Sequence, residues 1–255
     1  MKKVLVCYKW VIDERDIFIN TDLSLETKRS KYKISDYDLN AIEEAVKIKE
    51  AFGAEVWGIT VGEAVQGSVK NAFSRGIDQI LAVECKENET QNPLITSKLI
   101  AAAVKQLGEF DLIIFGQGSS DNFSRQVGHR VAQLLKIPSV TSVNELRYED
   151  GQVQAFRKLE YIEEVIKVGL PASISVLNSI NCPRIPGMKQ IIAANKKPVT
   201  KAQSNDLVDA KHLYIDTDNV EIRAIVPTRK KKVFKGELGE CADMLFKALS
   251  AEGVL

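Results

Sequence analysis

The feature that most constrains the fold is a change of hydrophobic period that repeats through the first 135 residues. Residues 4–7 (VLVC), 55–61 (EVWGITV), 79–83 (QILAV) and 111–115 (DLIIF) are short apolar runs with the composition of strands buried on both faces. Between them the apolar residues fall at helical spacing. Leu39, Ile42, Ala45, Val46 and Lys49 form one such set, with Ser35 and Asp36 placed as caps. Val65, Val69, Ala72 and Phe73 form a second, closed by Gly76. Asn92-Pro93 opens a third in cap-then-proline order, running through Leu94, Leu99, Ala102 and Val104. Phe123, Val127, Val131, Leu134 and Leu135 share one face of a fourth helix, expected to begin near Asn122. Strand and helix in turn predict an α/β fold: a doubly wound, mostly parallel, Rossmann-like sheet with helices on both faces.

The rhythm changes after Pro138. Residues 140–148, 153–158 and 165–168 read as short strands of a β-hairpin region, with Asp150-Gly151 as a turn signal. Residues 172–177 (ASISVL) read as a return to the main sheet. From Pro183 onward the chain is rich in proline and lysine, and no further βα rhythm is expected. The prediction is a nucleotide-binding domain over residues 1–182 and a C-terminal arm over residues 183–255. A last helix is expected near 239–251, and Lys230, Lys231 and Lys232 read as a solvated basic face. An arm without its own core usually packs on another subunit.

Composition narrows the function. A formal net charge of +1 gives no reason to expect nucleic acid or an anionic membrane as partner. No run approaches the ~20 apolar residues that span a bilayer, and the N-terminus reads as a strand rather than a signal peptide, so a cytoplasmic protein is expected. Cys7, Cys85, Cys182 and Cys241 are scattered, without a close pair, and are expected as small core residues. His129 and His212 are the only histidines, too few for a histidine-based metal site or proton relay. Neither metal ligands nor catalytic residues are expected, which argues against a hydrolase or a metalloenzyme.

The strongest local signal is Gly116-Gln117-Gly118-Ser119-Ser120-Asp121, where a strand hands over to a helix. At that edge of an open parallel sheet, free backbone N–H groups and the positive helix end collect phosphate oxygens. Gly116 and Gly118 let backbone approach a ligand, while Ser119, Ser120 and Ser124 add hydroxyl donors. Asp121 caps the helix, orients a ribose, or holds a water or cation beside a pyrophosphate. Such a loop also fits a plain βα turn. It is neither a Walker loop nor a nicotinamide-type G-x-G-x-x-G. The end of the first strand, Cys7-Tyr8-Lys9, the segment 33–38 and Thr60-Val61-Gly62 converge on the same edge. On the other side of the balance, Lys9 reads as a solvated strand end and Thr60 as a core threonine.

Taken together these segments resemble the β subunit of electron-transfer flavoproteins over nearly the whole chain. The resemblance rests on the opening VLVCYK followed by VID, on ISDYDLNAIEEA at 34–45, and on GQGSSDNFSRQVG at 116–128. Leu170-Pro171-Ala172, Pro183-Arg184, Met188-Lys189 and Lys196-Lys197 resemble the family's C-terminal signature. The segment KLEYIEE after Arg157 departs from the acidic-glycine cluster of that family. What the resemblance implies is a nucleotide-binding subunit paired with an electron-transfer flavoprotein α subunit, which carries the shuttling FAD. Simple members hold AMP in the β site. Bifurcating members hold a second FAD there, which takes a hydride from NADH and divides the electrons between two acceptors. SDYDLNA at 35–41 and GSSD at 118–121 resemble the subgroup associated with nitrogen fixation, carnitine metabolism and anaerobic acyl-CoA or lactate oxidation, and Tyr37-Asp38 and Gln126-Val127-Gly128 resemble the bifurcating form. FAD is therefore favoured, with a flavin dehydrogenase as partner and ferredoxin as a further acceptor.

The cofactor-binding residues so implied are Cys7 and Lys9 on the first strand end, and Ser35, Asp36, Tyr37 and Asp38 on the adenine side. Thr60, Val61 and Gly62 follow, and then Gly116, Gln117, Gly118, Ser119, Ser120, Asp121, Ser124, Arg125, Gln126 and Val127 around ribose and phosphates. Arg125 reads as a charge-assisted donor to a pyrophosphate or as an exposed helix arginine. Met188 reads as the apolar anchor of a dehydrogenase-docking loop or as a gap-filler in the core. Outside this family, a universal stress-type nucleotide sensor shares the βα layout but lacks a long basic arm. An adenylating enzyme needs an S-G-G-x-D-S-type loop that Cys7-Tyr8-Lys9-Trp10 does not supply.

Overall fold

The strand–helix alternation becomes one nine-stranded sheet, ordered β11-β10-β9-β12-β8-β1-β6-β7-β13. The computed structural model describes residues 1–86, 92–149, 151–213, 222–225 and 229–255. The parallel centre comprises β1 (Lys3–Cys7), β6 (Glu55–Gly62), β7 (Gln79–Glu84), β8 (Leu112–Gly116) and β12 (Ala172–Val176). Val4 pairs in register with Val56 on one side and Leu112 on the other. Short strands β2 (Trp10–Ile12), β3 (Phe18–Ile19), β4 (Leu25–Glu26) and β5 (Tyr32–Ile34) precede the first long helix.

Helices cover both faces of the sheet, which is why its central strands are apolar at nearly every position. On one face Val4, Val6, Ile80, Ile114 and Ile174 pack with α1 (Asp36–Phe52) and α2 (Gln66–Ser74). On the other, Leu5, Ile59, Leu81 and Ile113 pack with α3 (Pro93–Leu107) and α4 (Val127–Leu135). Asn92 caps α3 by accepting from the Leu94 N–H, with Pro93 in its first turn, as the sequence predicts. Antiparallel β9 (Ser139–Glu149), β10 (Gln152–Lys158) and β11 (Glu163–Gly169) extend one edge of the sheet. Gly151 of the expected turn has φ +77, and Asp150 lies outside the described residues.

Several expectations need correction. The fourth helix begins at Val127, not near Asn122, so Phe123 sits in the loop before it. Left-handed backbone at Phe123 (φ +46) and Arg125 (φ +57) interrupts any earlier helical turn.

The stretch after Pro183 regains the βα rhythm: α5 (Met188–Ala194) packs on α2, and β13 (Thr200–Gln203) pairs parallel to β7. The segment is clamped from both ends. Arg184 forks onto Glu43 (2.8 and 2.9 Å) and reaches Glu50 (2.6 Å), while Lys197 donates to the Ile77 carbonyl (2.6 Å). An edge strand of Thr, Lys, Ala and Gln carries no apolar period to announce it. A short helix, α6 (Ser204–Leu207), follows.

Among the cysteines, Cys7 is in the core as expected, but Cys182 is exposed and Cys85 and Cys241 are partly so.

The chain divides into two units, residues 1–18 with 26–220, and residues 19–25 with 221–255. Within the second, Ala224 donates to the Leu23 carbonyl, and α7 (Leu238–Ala251) is the expected last helix. Lys230 and Lys232 are not simply solvated: both pair with Glu252, at 2.8 and 3.0 Å. Among the described residues no helix is long and apolar enough to cross a membrane.

Candidate functional site

The sheet order reverses at β1, with β6 and β7 laid down on one side and β8 on the other. Neighbouring strand ends part at such a switch point and leave a crevice. A solvent-open cleft of about 780 Å³ lies there. Of the residues singled out in the sequence, Cys7, Lys9, Asp38, Val61, Gly116, Gln117, Gly118, Ser119, Ser124, Arg125, Gln126 and Val127 line it. Ser35, Asp36, Tyr37, Thr60, Gly62, Ser120 and Asp121 are not among its lining residues. Thr60 is fully buried, and among the described residues its hydroxyl has no partner. Pro93, Thr96 and Ile100 of α3 and Ser175 of β12 also line the cleft and were missed. The Asn92-Pro93 helix start was the available signal for α3. It follows β7 and so opens at the same sheet edge.

Several expected residues tie the wall of the cleft together. Asp38 is buried, and its carboxylate accepts from the backbone N–H groups of Lys9 (2.8 Å) and Gly116 (3.2 Å). It thereby ties the ends of β1 and β8 to the first turn of α1. Ser35 occupies the cap position of α1 but caps nothing with its side chain. Its hydroxyl accepts from the Ser120 N–H (3.2 Å), and the Ser120 hydroxyl accepts in turn from the Asp36 N–H (3.0 Å).

Gly116 is required by this lashing, since a Cβ there would stand 2.8 Å from the Tyr37 carbonyl carbon and 2.9 Å from the Asp38 nitrogen. Gly118 is required by Phe123, whose ring occupies the space a Cβ would need. The same ring packs on Tyr37, with centroids 5.2 Å apart, and under the Arg125 guanidinium at 4.3 Å. Phe123 is thus the loop's plug, read from the sequence only as a helix-face residue.

Burial dominates the ionisation of Asp38 and raises it from 3.8 to about 7, against the opposing pull of the two N–H donors and the Lys9 charge. Burial, and then the neighbouring Asp38, also push the Cys7 thiol up, so it stays neutral and is no nucleophile. For Asp121 burial again acts upward, but the Lys9 ammonium at 2.5 Å and hydrogen bonds outweigh it and hold the carboxylate below its ordinary value.

Among the described residues, the backbone N–H groups of Gly118, Ser119, Ser124, Arg125 and Gln126 donate to no protein acceptor. Unpaired donors on a glycine loop, a guanidinium and a helix start suit an oxyanion. Cys7, Val61, Ile100, Phe115 and Pro93 give the rest of the cleft an apolar lining, which suits a planar ring. The residues present therefore fit a dinucleotide or mononucleotide.

Fold and cleft together define a doubly wound α/β protein whose switch point offers anion donors beside an apolar slot. The electron transfer flavoprotein domain matches residues 22–207, and the chain belongs to that family. The match takes in the cleft loop, the β9–β11 hairpins, α5 and β13. The family supports a role in electron transport as a flavoprotein.

Proposed function

We propose that this chain is the β subunit of a heterodimeric electron-transfer flavoprotein and that its cleft holds FAD. The heterodimer then passes electrons between NAD(H), a flavin dehydrogenase of acyl-CoA or lactate type, and ferredoxin by flavin-based bifurcation. The observation that carries the reading is the switch-point cleft, with its unpaired loop N–H groups, in a chain of this family. Bound FAD supplies the redox chemistry, accepting a hydride and releasing single electrons. This chain's residues bind and orient. The 116–126 loop and Arg125 hold the pyrophosphate, the apolar lining holds a ring, and Asp38 with the Ser35–Ser120 pair keeps the loop in place. FAD is favoured over AMP by the resemblance of Tyr37-Asp38 and Gln126-Val127-Gly128 to the bifurcating branch.

Residues 183–255 are the proposed docking region. Met188 is 72% exposed, and Ile185, Ile191 and Ile192 are exposed around it, so Met188 fills no core gap. That apolar surface supports docking on a dehydrogenase, and the following arm is the part proposed to wrap the α subunit.

The test is co-expression with an α subunit, heat release of ligands from the purified complex, and chromatographic separation. Two FAD per heterodimer and no AMP is the expected result. One FAD and one AMP makes the protein a simple carrier and removes bifurcation. Absence of both nucleotides from the β site overturns the reading, as does a stable flavin-loaded monomer.

A further inference from the structure

We infer that the polar face of α1 fixes the place of the docking loop, with Asn40 and Glu43 as positioning residues for partner recognition. The inference rests on the docking reading of Met188 and adds the residues that decide where Met188 stands. Residues 177–187, which lead from β12 into α5, contain neither helix nor strand. A segment without a backbone ladder takes its path from side-chain hydrogen bonds. Here α1 supplies them from Asn40, Glu43 and Glu44, all buried.

The Asn40 carboxamide donates to the carbonyls of Asn178 (3.2 Å) and Asn181 (2.9 Å). In return the Asn181 carboxamide donates to the Asn40 carbonyl (3.0 Å) and the Glu44 carboxylate (3.1 Å). Glu43 accepts from the Arg184 backbone N–H (3.1 Å) as well as from its guanidinium. The Arg184 carbonyl accepts from Arg75, at the end of α2 (2.8 Å). Exposed Ile185 follows at once, and Met188, Ile191 and Ile192 lie just beyond it.

Buried ionic groups are a poor source of stability, since apolar side chains of similar volume often hold a segment as well. Directional bonds, by contrast, admit one path for the chain. None of Asn40, Glu43, Glu44, Asn181 and Arg184 lines the cleft, so ligand contact does not account for them. The first turn of α1 is itself tied to β1, β8 and the cleft loop through Asp38 and Ser35. One helix therefore holds the cleft wall at its start and the docking loop further along.

The experiment uses the heterodimer and follows turnover with a flavin acyl-CoA dehydrogenase or lactate dehydrogenase as the varied partner. Asn40→Ala is expected to raise KM for the dehydrogenase about three- to tenfold, as when roughly 10–30% of loops keep the competent pose. The kcat and the bound-nucleotide content should match wild type. Arg184→Lys keeps the charge without the fork and should show the same KM-only effect. Should Asn40→Ala fail to fold, Asn181→Ala, in a less buried residue, removes the same bridge from the other side.

Met188→Ala should raise KM by about five- to 150-fold. The double variant Asn40→Ala/Met188→Ala should be no worse than Met188→Ala alone, because an absent anchor needs no positioning. Effects that multiply would mean a general structural role and overturn the proposal. So would an unchanged KM in Asn40→Ala, or a loss of kcat or nucleotide alongside it. A Met188→Ala protein that docks like wild type, or a wild type that turns over with neither dehydrogenase, removes the docking reading itself.

Discussion

Replacing Asp38 with asparagine should change how the stability of the protein depends on pH. Asp38 is 6% exposed and accepts two backbone N–H groups, yet burial still raises it from 3.8 to about 7. A group that binds its proton more tightly when folded favours folding most below its unfolded value, and that contribution is lost as pH rises through the folded value. The whole shift from 3.8 to about 7 is worth roughly 4 kcal/mol relative to a chain without this ionisation, at 1.36 kcal/mol per pH unit. In the accessible window from pH 5 to pH 8 the loss is about 3 kcal/mol. Asp38→Asn does not titrate and is nearly isosteric with the protonated carboxyl. The amide has one acceptor where the carboxyl has two, so the variant strands one of the two N–H donors and carries a pH-independent cost of about 1–3 kcal/mol. On top of that cost, its stability relative to wild type should rise by about 3 kcal/mol from pH 5 to pH 8. Urea denaturation followed by the fluorescence of Trp10 and Trp57, at half-unit steps of pH, gives the difference directly. A pH-independent difference refutes the reasoning. A wild type that gains on the variant as pH rises refutes it more strongly, since the N–H donors and Lys9 would then outweigh burial.

Gly116→Ala pushes a methyl group into the first turn of α1 and should cost about 1–3 kcal/mol in chemical denaturation, with loss of bound nucleotide; an unchanged midpoint would show that the strand ends separate freely. Gly118→Val should displace Phe123 and hence the whole loop, so nucleotide binding is abolished while Phe123→Leu reproduces part of the loss. Arg184→Leu leaves Glu43, 7% exposed, without its cation and should destabilise by about 3 kcal/mol, whereas Glu50→Gln, on the exposed side of the same arginine, should change stability little; similar effects from both would remove the burial argument. Met188→Ala should leave stability and reduction by NADH unchanged but weaken dehydrogenase docking by about 1–3 kcal/mol, read as slower interprotein electron transfer.

The sheet and its two helical layers were legible in the sequence because they rest on periodicity. Runs such as VLVC and DLIIF need no distant residue to be recognised as buried strands, and each amphipathic helix announces its own face. The place of the cleft was legible for a related reason: a Gly/Ser loop after a late strand lies, by the topology of such sheets, at the switch point. What individual residues do there was not legible. Ser35, Tyr37 and Asp38 carry the family resemblance as adenine-side residues, and their contacts within the fold, Ser35 and Asp38 holding backbone and Tyr37 supporting Phe123, left no mark in the sequence. Asp38 finds the Gly116 N–H across 78 residues and Ser35 finds Ser120 across 85, and no local period records such pairings. The late start of α4 was hidden in the same way, because Phe123 at a helical spacing looks like a helix residue until Gly118 and Tyr37 are brought beneath it. The polar edge strand β13 shows the limit most plainly. Its place beside β7 is fixed by backbone hydrogen bonds and by the Arg184 and Lys197 clamps, none of which leaves an apolar mark on the residues of the strand itself.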